Sequence, residues 1–375
     1  MIYFDNSATT KVDQDVAEKA MEMMLECYGN PSSPYLLGGE ALERLTQARF
    51  YIAQVISAPT SSIYFTSGGT ESNNLAIIGT VYGNPGKGKK IITTSIEHSS
   101  VKDVFKYLQS EGYEVVYIDP RLGKIQVEDV IAAVDDNTLL VSVMGINNET
   151  GEVLPIKAIT EGVKKRNPHT IIHCDYVQGF CKMPFKLYEI PVDLLSVSAH
   201  KIYGPKGCGA LYVRPGIQLK PLFYGGYQES SLRPGTENVA LAVAFGYAAN
   251  RGLINLHKHL DYVTGLKKHL LDQLETIPEV EINSPEGSSP YILNFSIPIL
   301  RTDEMIHYLK LKGILLSGSA ACSRGATSHV IKAMGFDKQR VMSTLRVGIS
   351  KNNNLEEIDY LIKVLKEMIK REGRL

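Results

Sequence analysis

SIYFTSGGTESNNLAIIGTVYGNPGKGKKIITT, residues 62–94, sets the reading of the fold. Ser62–Thr66 is a short apolar run of buried-strand type. A glycine-rich turn follows, and Glu71–Tyr82 carries apolar residues at helical spacing. Lys90–Thr94 is a second strand-like run. Strand, helix, strand within about thirty residues is the unit from which parallel sheets are built.

The alternation continues downstream. Glu114–Ile118, Leu139–Met144, Ile171–Asp175 and Leu194–Ser198 read as further buried strands. Helical stretches lie between several of them, at Val101–Glu111, Val127–Val134 and Ile156–Lys165. This predicts an α/β fold with a mainly parallel sheet covered on both faces. Upstream, Val12–Cys27 and Leu42–Ile56 read as helices, the first ended by Gly29-Asn30-Pro31. Beyond the sheet, one long helical pattern from Asn238 to Leu274 leads into a smaller α+β part, with a boundary near residue 260. Its expected strands lie near Val280–Ile282, Ile292–Phe295 and Ile314–Leu316, and its helices at Asp303–Lys312 and Leu355–Lys370.

The bulk numbers exclude several classes. The 375 residues are 44% hydrophobic and 21% charged, ordinary for a globular chain of about two domains. Lys plus Arg and Asp plus Glu both count 40, so no basic field points to direct nucleic-acid binding. No apolar run approaches the roughly 18 residues of a membrane helix, and Met1–Thr10 has no signal-peptide pattern. Cysteines at 27, 174, 181, 208 and 322 form no CxxC pair and no zinc spacing. A cytoplasmic protein with reduced thiols and no metal is expected.

In a parallel sheet, ligands collect where strands end and helices begin. Three places qualify. Thr66-Ser67-Gly68-Gly69-Thr70-Glu71-Ser72-Asn73 opens a helix after a strand, which suits an anion, although an ordinary structural turn reads the same way. Asp175 ends an apolar strand, where a carboxylate can pair with a protonated pyridine nitrogen or simply cap a helix. Lys201, in Ser196-Val197-Ser198-Ala199-His200-Lys201, follows another strand. An isolated lysine is usually solvated, but here Ser198 and His200 stand beside it as phosphate ligands.

Anion loop, strand-end Asp and strand-end Lys, in that order, resemble the NifS/IscS family of cysteine desulfurases, pyridoxal-phosphate (PLP) enzymes of fold type I. The resemblance covers almost the whole chain. It includes Tyr3-Phe4-Asp5-Asn6-Ser7-Ala8-Thr9-Thr10, Gly29-Asn30-Pro31-Ser32-Ser33, Asn147-Asn148-Glu149-Thr150-Gly151 and Leu232-Arg233-Pro234-Gly235-Thr236. It implies a large PLP-binding domain over residues 12–260 and a small domain of residues 1–11 and 261–375. Lys201 would be the Schiff-base lysine and His98 the histidine stacked on the pyridine ring, either of them moving protons. Asp175 would hold the ring nitrogen and Gln178 the ring hydroxyl. Gly69, Thr70, Ser198 and His200 would bind the phosphate, and Asn148 would line the cofactor. Asn148 and Arg346 would hold the substrate carboxylate. Thr236 would reach the phosphate of a partner subunit, making a homodimer.

The same resemblance implies L-cysteine as substrate, L-alanine as product, and a cysteine that takes the sulfur as a persulfide. A partner protein in iron–sulfur cluster assembly or tRNA thiolation would then accept it. Counted forward from Ser317-Gly318-Ser319-Ala320, that cysteine is expected at 321, which is alanine. Counted back from Ser328-His329-Val330, Cys322 falls into place with one extra alanine before it. Cys322 is therefore the expected carrier, with Arg324 nearby to favour the thiolate. Loss of the acceptor is the rival. A second departure is Tyr35, where the family commonly has histidine. The alternatives are selenocysteine lyase or another PLP-dependent lyase, and a non-catalytic sulfur-transfer scaffold. A nucleotide-binding oxidoreductase is disfavoured because no GxGxxG follows the first strand.

Overall fold

The computed structural model describes residues 1–318 and 328–372. A short strand β1 (Ile2–Tyr3) is followed by helices α1 (Gln14–Leu25) and α2 (Leu36–Ile56). The alternating part runs β2 (Ile63–Thr66), α3 (Gly69–Gly83), β3 (Lys90–Thr94), α4 (Ser99–Ser110), β4 (Glu114–Ile118) and α5 (Val127–Ala133). It continues through β5 (Thr138–Met144), α6 (Ile156–Arg166), β6 (Ile171–Asp175), β7 (Leu194–Ser198) and β8 (Gly209–Val213). These seven strands form one sheet in the order β2-β8-β7-β6-β5-β3-β4, in which β8 alone runs against the others. The expected mainly parallel α/β sheet is therefore present. The sequence reading missed β8, because an antiparallel return from β7 needs no helix between and so breaks the alternation that guided it.

Strands β5 to β8 are buried along their whole length, as strands covered on both faces must be. Successive residues point to opposite faces. Ile92, Ile172 and Leu195 join a core with Ile52, Phe180 and Phe245. Their neighbours Ile91, Ile171 and Leu194 join another with Leu75, Phe105 and Leu108.

The single helical pattern expected over residues 238–274 is two helices, α7 (Val239–Ile254) and α8 (Leu256–Leu274), bent by 72°. Asn255 sits at the break. Its Nδ2 donates to the Arg251 carbonyl at 2.9 Å, beside its own backbone N–H at 3.1 Å. No single helix among the described residues is long and apolar enough to cross a membrane.

The remainder comprises β9 (Glu281–Ile282), β10 (Ile292–Ser296), α9 (Thr302–Leu311), β11 (Ile314–Leu315), α10 (His329–Ala333), α11 (Lys338–Met342), β12 (Thr344–Gly348) and α12 (Leu355–Glu372). A three-stranded sheet runs β12-β10-β9, and β1 pairs in parallel with β11. Phe4 shares a separate core with apolar residues from Val263 to Ile369. Fastened there, the N-terminal segment returns to the large sheet. Thr10 N–H donates to the His200 carbonyl at 2.9 Å, which lays residues 5–10 across the ends of β6 and β7.

Candidate active site

The ends of four parallel strands and one helix supply the site. Glu97 and His98 follow β3, Asn148 follows β5, Asp175 closes β6, and Ser198 closes β7 just before His200 and Lys201. Gly69 and Thr70 open α3, while Arg346 comes from β12. All of these but Glu97, which lies behind His98, line one cavity of about 400 Å³, together with Asp5, Ser7, Ala8, Asn73, Ser100 and Gln178. Among the described residues, every sequence-predicted site residue except Thr236 is on its wall.

Lys201 Nζ donates to the carbonyls of Ser7 and Ala8, both at 2.7 Å. Gln178 Nε2 also donates to Ser7 O, at 2.9 Å, and its Oε1 accepts from Lys182 at 3.2 Å. Lys182 thus fixes which end of the Gln178 amide faces the N-terminal segment. Asp175 is 7% exposed. Its Oδ1 accepts from Val177 N–H at 3.1 Å and its Oδ2 from Asn73 Nδ2 at 2.8 Å. Both contacts are donors to the carboxylate, and a carboxylate placed there suits a partner for a cation.

Arg346, 3% exposed, donates to Asn148 O at 2.9 Å, Asp5 Oδ1 at 3.0 Å and Ser317 Oγ at 2.8 Å. Its Nε and the Asn148 Oδ1 are buried without a hydrogen-bond partner. Arg346 itself is on the cavity wall, and a carboxylate is the ligand that suits a guanidinium best.

Behind His98, burial pushes the Glu97 carboxyl up to about 8, with Asp175 adding to the rise. Oε1 accepts from Thr94 Oγ1 at 2.8 Å and Met144 N–H at 2.9 Å, while Oε2 has no partner. Glu97 is therefore a neutral acid at neutral pH. Its folded pKa lies above the unfolded value of 4.5, so its contribution to stability is complete below pH 4.5 and lost as pH rises through 8. Glu97→Gln should flatten this decline, which is worth at most a few kcal/mol, on the order of 1.4 per unit of displacement. Urea unfolding across that window is the measurement; parallel curves for the two proteins would refute the assignment.

At the phosphate end, no side chain caps the N-terminus of α3, so its first amides are open to an anion. A Cβ at 69 would lie 2.8 Å from Val177 Cγ2, so a larger residue there would force that side chain to shift. His200 Nδ1 lies 3.2 Å from Thr9 Oγ1, and burial with neighbouring lysines lowers its pKa to about 3.

The family model for class-V aminotransferases matches residues 2–361. The chain belongs to the class-V aminotransferase family. Cysteine desulfurase IscS of Clostridium botulinum is 37% identical over 381 residues, covering 100% of this chain and 96% of that one. A cysteine desulfurase of Nostoc is 38% identical over 376 residues, covering 99% and 93%. The solved NifS-like protein superposes with a TM-score of 0.93 at 37% identity, covering 98% and 99%. Fold type I is thereby shown, and the enzyme is a PLP-dependent cysteine desulfurase.

The residues of this class-V member fit that cofactor. The glycine-lined helix N-terminus, the buried Asp175 and the unpartnered Ser7 Oγ and Asn148 Oδ1 together await a phosphate, a ring cation and polar substituents. Sequence reasoning missed four contributors: Asn73, Ser100, and the carbonyls of Ser7 and Ala8. The motif Asp5–Thr10 was the one available signal for the last two.

Thr236 is exposed and does not line the cavity of its own chain. The adjacent Arg233 is tied to Glu71 on α3 at 2.9 Å. Cys322 and Arg324 lie outside the described residues. Burial raises the pKa of Cys27, Cys174, Cys181 and Cys208, so all four are poor nucleophiles. Tyr35 is exposed at the start of α2, away from the cavity wall.

Proposed function

We propose that this desulfurase converts L-cysteine to L-alanine and holds the sulfur as a persulfide on Cys322. The sulfur then passes to an acceptor protein of iron–sulfur cluster assembly or tRNA thiolation. The observation that carries the reading is the buried Arg346 guanidinium on the wall of the same cavity as Lys201. That pairing suits a small amino acid, with its carboxylate on the guanidinium and its amine toward the lysine end.

Bound in the cavity, PLP supplies an electron sink for the charge released at the substrate Cα. Asp175 keeps the ring nitrogen protonated, Arg346 and Asn148 orient the carboxylate, and Lys201 moves the Cα proton. The Cys322 thiolate forms an S–S bond to the substrate sulfur as the C–S bond breaks. The electron pair of that bond stays on the carbon fragment, which is protonated and leaves as alanine.

The working unit in this proposal is a cytoplasmic homodimer, with Thr236 of each subunit completing the other's phosphate site. Its exposure beside the Arg233–Glu71 anchor supports a role outside its own cavity. Incubation with ³⁵S-labelled L-cysteine, without reductant, should label the Cys322 peptide and yield one alanine per label. Pyruvate with free sulfide would indicate elimination instead. Alanine from selenocysteine but not from cysteine would indicate a lyase, and no turnover at all a scaffold.

A further inference from the structure

We propose that Asn73 and Ser100 are positioning residues that lock His98 as a neutral ring with its proton on Nε2. His98 is then a fixed hydrogen-bond donor and stacking group, and Lys201 alone moves the substrate proton. The tautomer stands on geometry; the division of labour rests on the desulfurase reading above.

The direction of each hydrogen bond follows from the one before it. Asp175 ends the series because its carboxylate only accepts. Asn73 must therefore turn its amide nitrogen, not its oxygen, toward Asp175 Oδ2, 2.8 Å away. The second hydrogen on that nitrogen points to Ser100 Oγ, also at 2.8 Å. Having accepted there, Ser100 has its hydroxyl hydrogen free to donate to His98 Nδ1 at 2.8 Å. The Ser100 backbone N–H donates to the same nitrogen at 3.1 Å, with His98 as the N-cap of α4. Two donors converge on Nδ1. A proton there would face the backbone N–H head-on, so the ring's single proton sits on Nε2.

The consequence is chemical. A ring protonated on Nε2, with Nδ1 engaged by two donors, has no free lone pair with which to take a proton. The groups around it do not reverse this. Asp175 and Asp103 favour the cation, while burial, Lys201 and Arg346 oppose it, and burial is the largest influence. His200 and His329 are themselves held neutral, and Glu97 is uncharged at neutral pH. Lys201 is left as the group that shuttles the proton.

The test reads the tautomer directly. Long-range ¹H–¹⁵N correlation spectra of the ¹⁵N-histidine-labelled holoenzyme, with His98→Gln for assignment, should show His98 protonated on Nε2 only. Ser100→Ala removes one donor, so the His98 midpoint should move up by about one pH unit. Ser100→Thr keeps the hydroxyl and should match the parent. A proton on Nδ1 in the parent protein would overturn the proposal, as would a Ser100→Ala midpoint equal to the parent's. If Ser100→Ala does not fold, the parent spectrum decides alone. None of these readouts needs turnover, so a protein that shows the tautomer but makes no alanine would sink the desulfurase reading and leave this one standing.

Discussion

Lys201→Ala is expected to lower alanine formation from cysteine by roughly 10³-fold or more, and to remove the covalent link to PLP. Two separate functions are lost with one amine. In the parent protein, borohydride treatment followed by digestion should give a cofactor-labelled peptide containing Lys201, and the visible absorption band should disappear. In the variant no such peptide should form. Cofactor can still bind without the link, because the α3 N-terminus, Asp175 and Gln178 are untouched by the change. Added amines should then restore some rate, since a free base can do part of the proton work. A reducible lysine adduct at the same site in Lys201→Ala would show that another lysine carries the cofactor. Lys182 is the one to watch. It is buried, its pKa is lowered to about 7 by burial and by Lys201, and it contacts Gln178 on the cavity wall. Its Nζ is held by the far end of that amide, so it is expected to stay unmodified.

The strand-end residues were legible because a parallel sheet collects its C-termini at one edge, and a short sequence motif follows each strand. Asp175 and Lys201 are read from the end of a strand and the few residues beside it in sequence. The contacts that tune them are different in kind. Asn73 meets Asp175 across 102 positions of sequence, and Ser7 and Ala8 meet Lys201 through backbone carbonyls 194 and 193 positions away. A carbonyl has no residue identity to read. Asn73 and Ser100 lie on different helices, α3 and α4, and join only because both helix N-termini point at the same cavity. β8 and the break at Asn255 were missed for a local reason. Each departs from a periodicity that otherwise holds, and a single residue or short run is too brief to signal the change.

Cys322→Ser is expected to keep the PLP spectrum while alanine formation from cysteine falls about a hundredfold or more, with no protein-bound sulfur. The described cysteines offer no substitute. Cys174, Cys181 and Cys208 are buried, and burial raises all three thiols, Cys208 to about 12. Cys27 is partly exposed, but burial and Glu40 raise its pKa too, and it does not line the cavity. The residues on either side of the Cys322 segment are tied to the site. Ser317 Oγ donates to Asp5 Oδ1 and accepts from Arg346, both at 2.8 Å. On the other side, Ser328 is bonded to Glu149, and His329 Nε2 donates to the Glu97 carbonyl at 2.9 Å. From Ser317 the chain can extend at most about 17 Å in five residues, enough to bring a thiol to a cavity that Arg346 itself lines. The extra alanine before Cys322 lengthens that reach and does not remove it. Iodoacetamide under mild conditions should therefore modify Cys322 before the other four thiols, and L-cysteine should protect it. Alanine released by Cys322→Ser at the parental rate would exclude it as the sulfur carrier, and pyruvate with free sulfide in its place would make the site an elimination site.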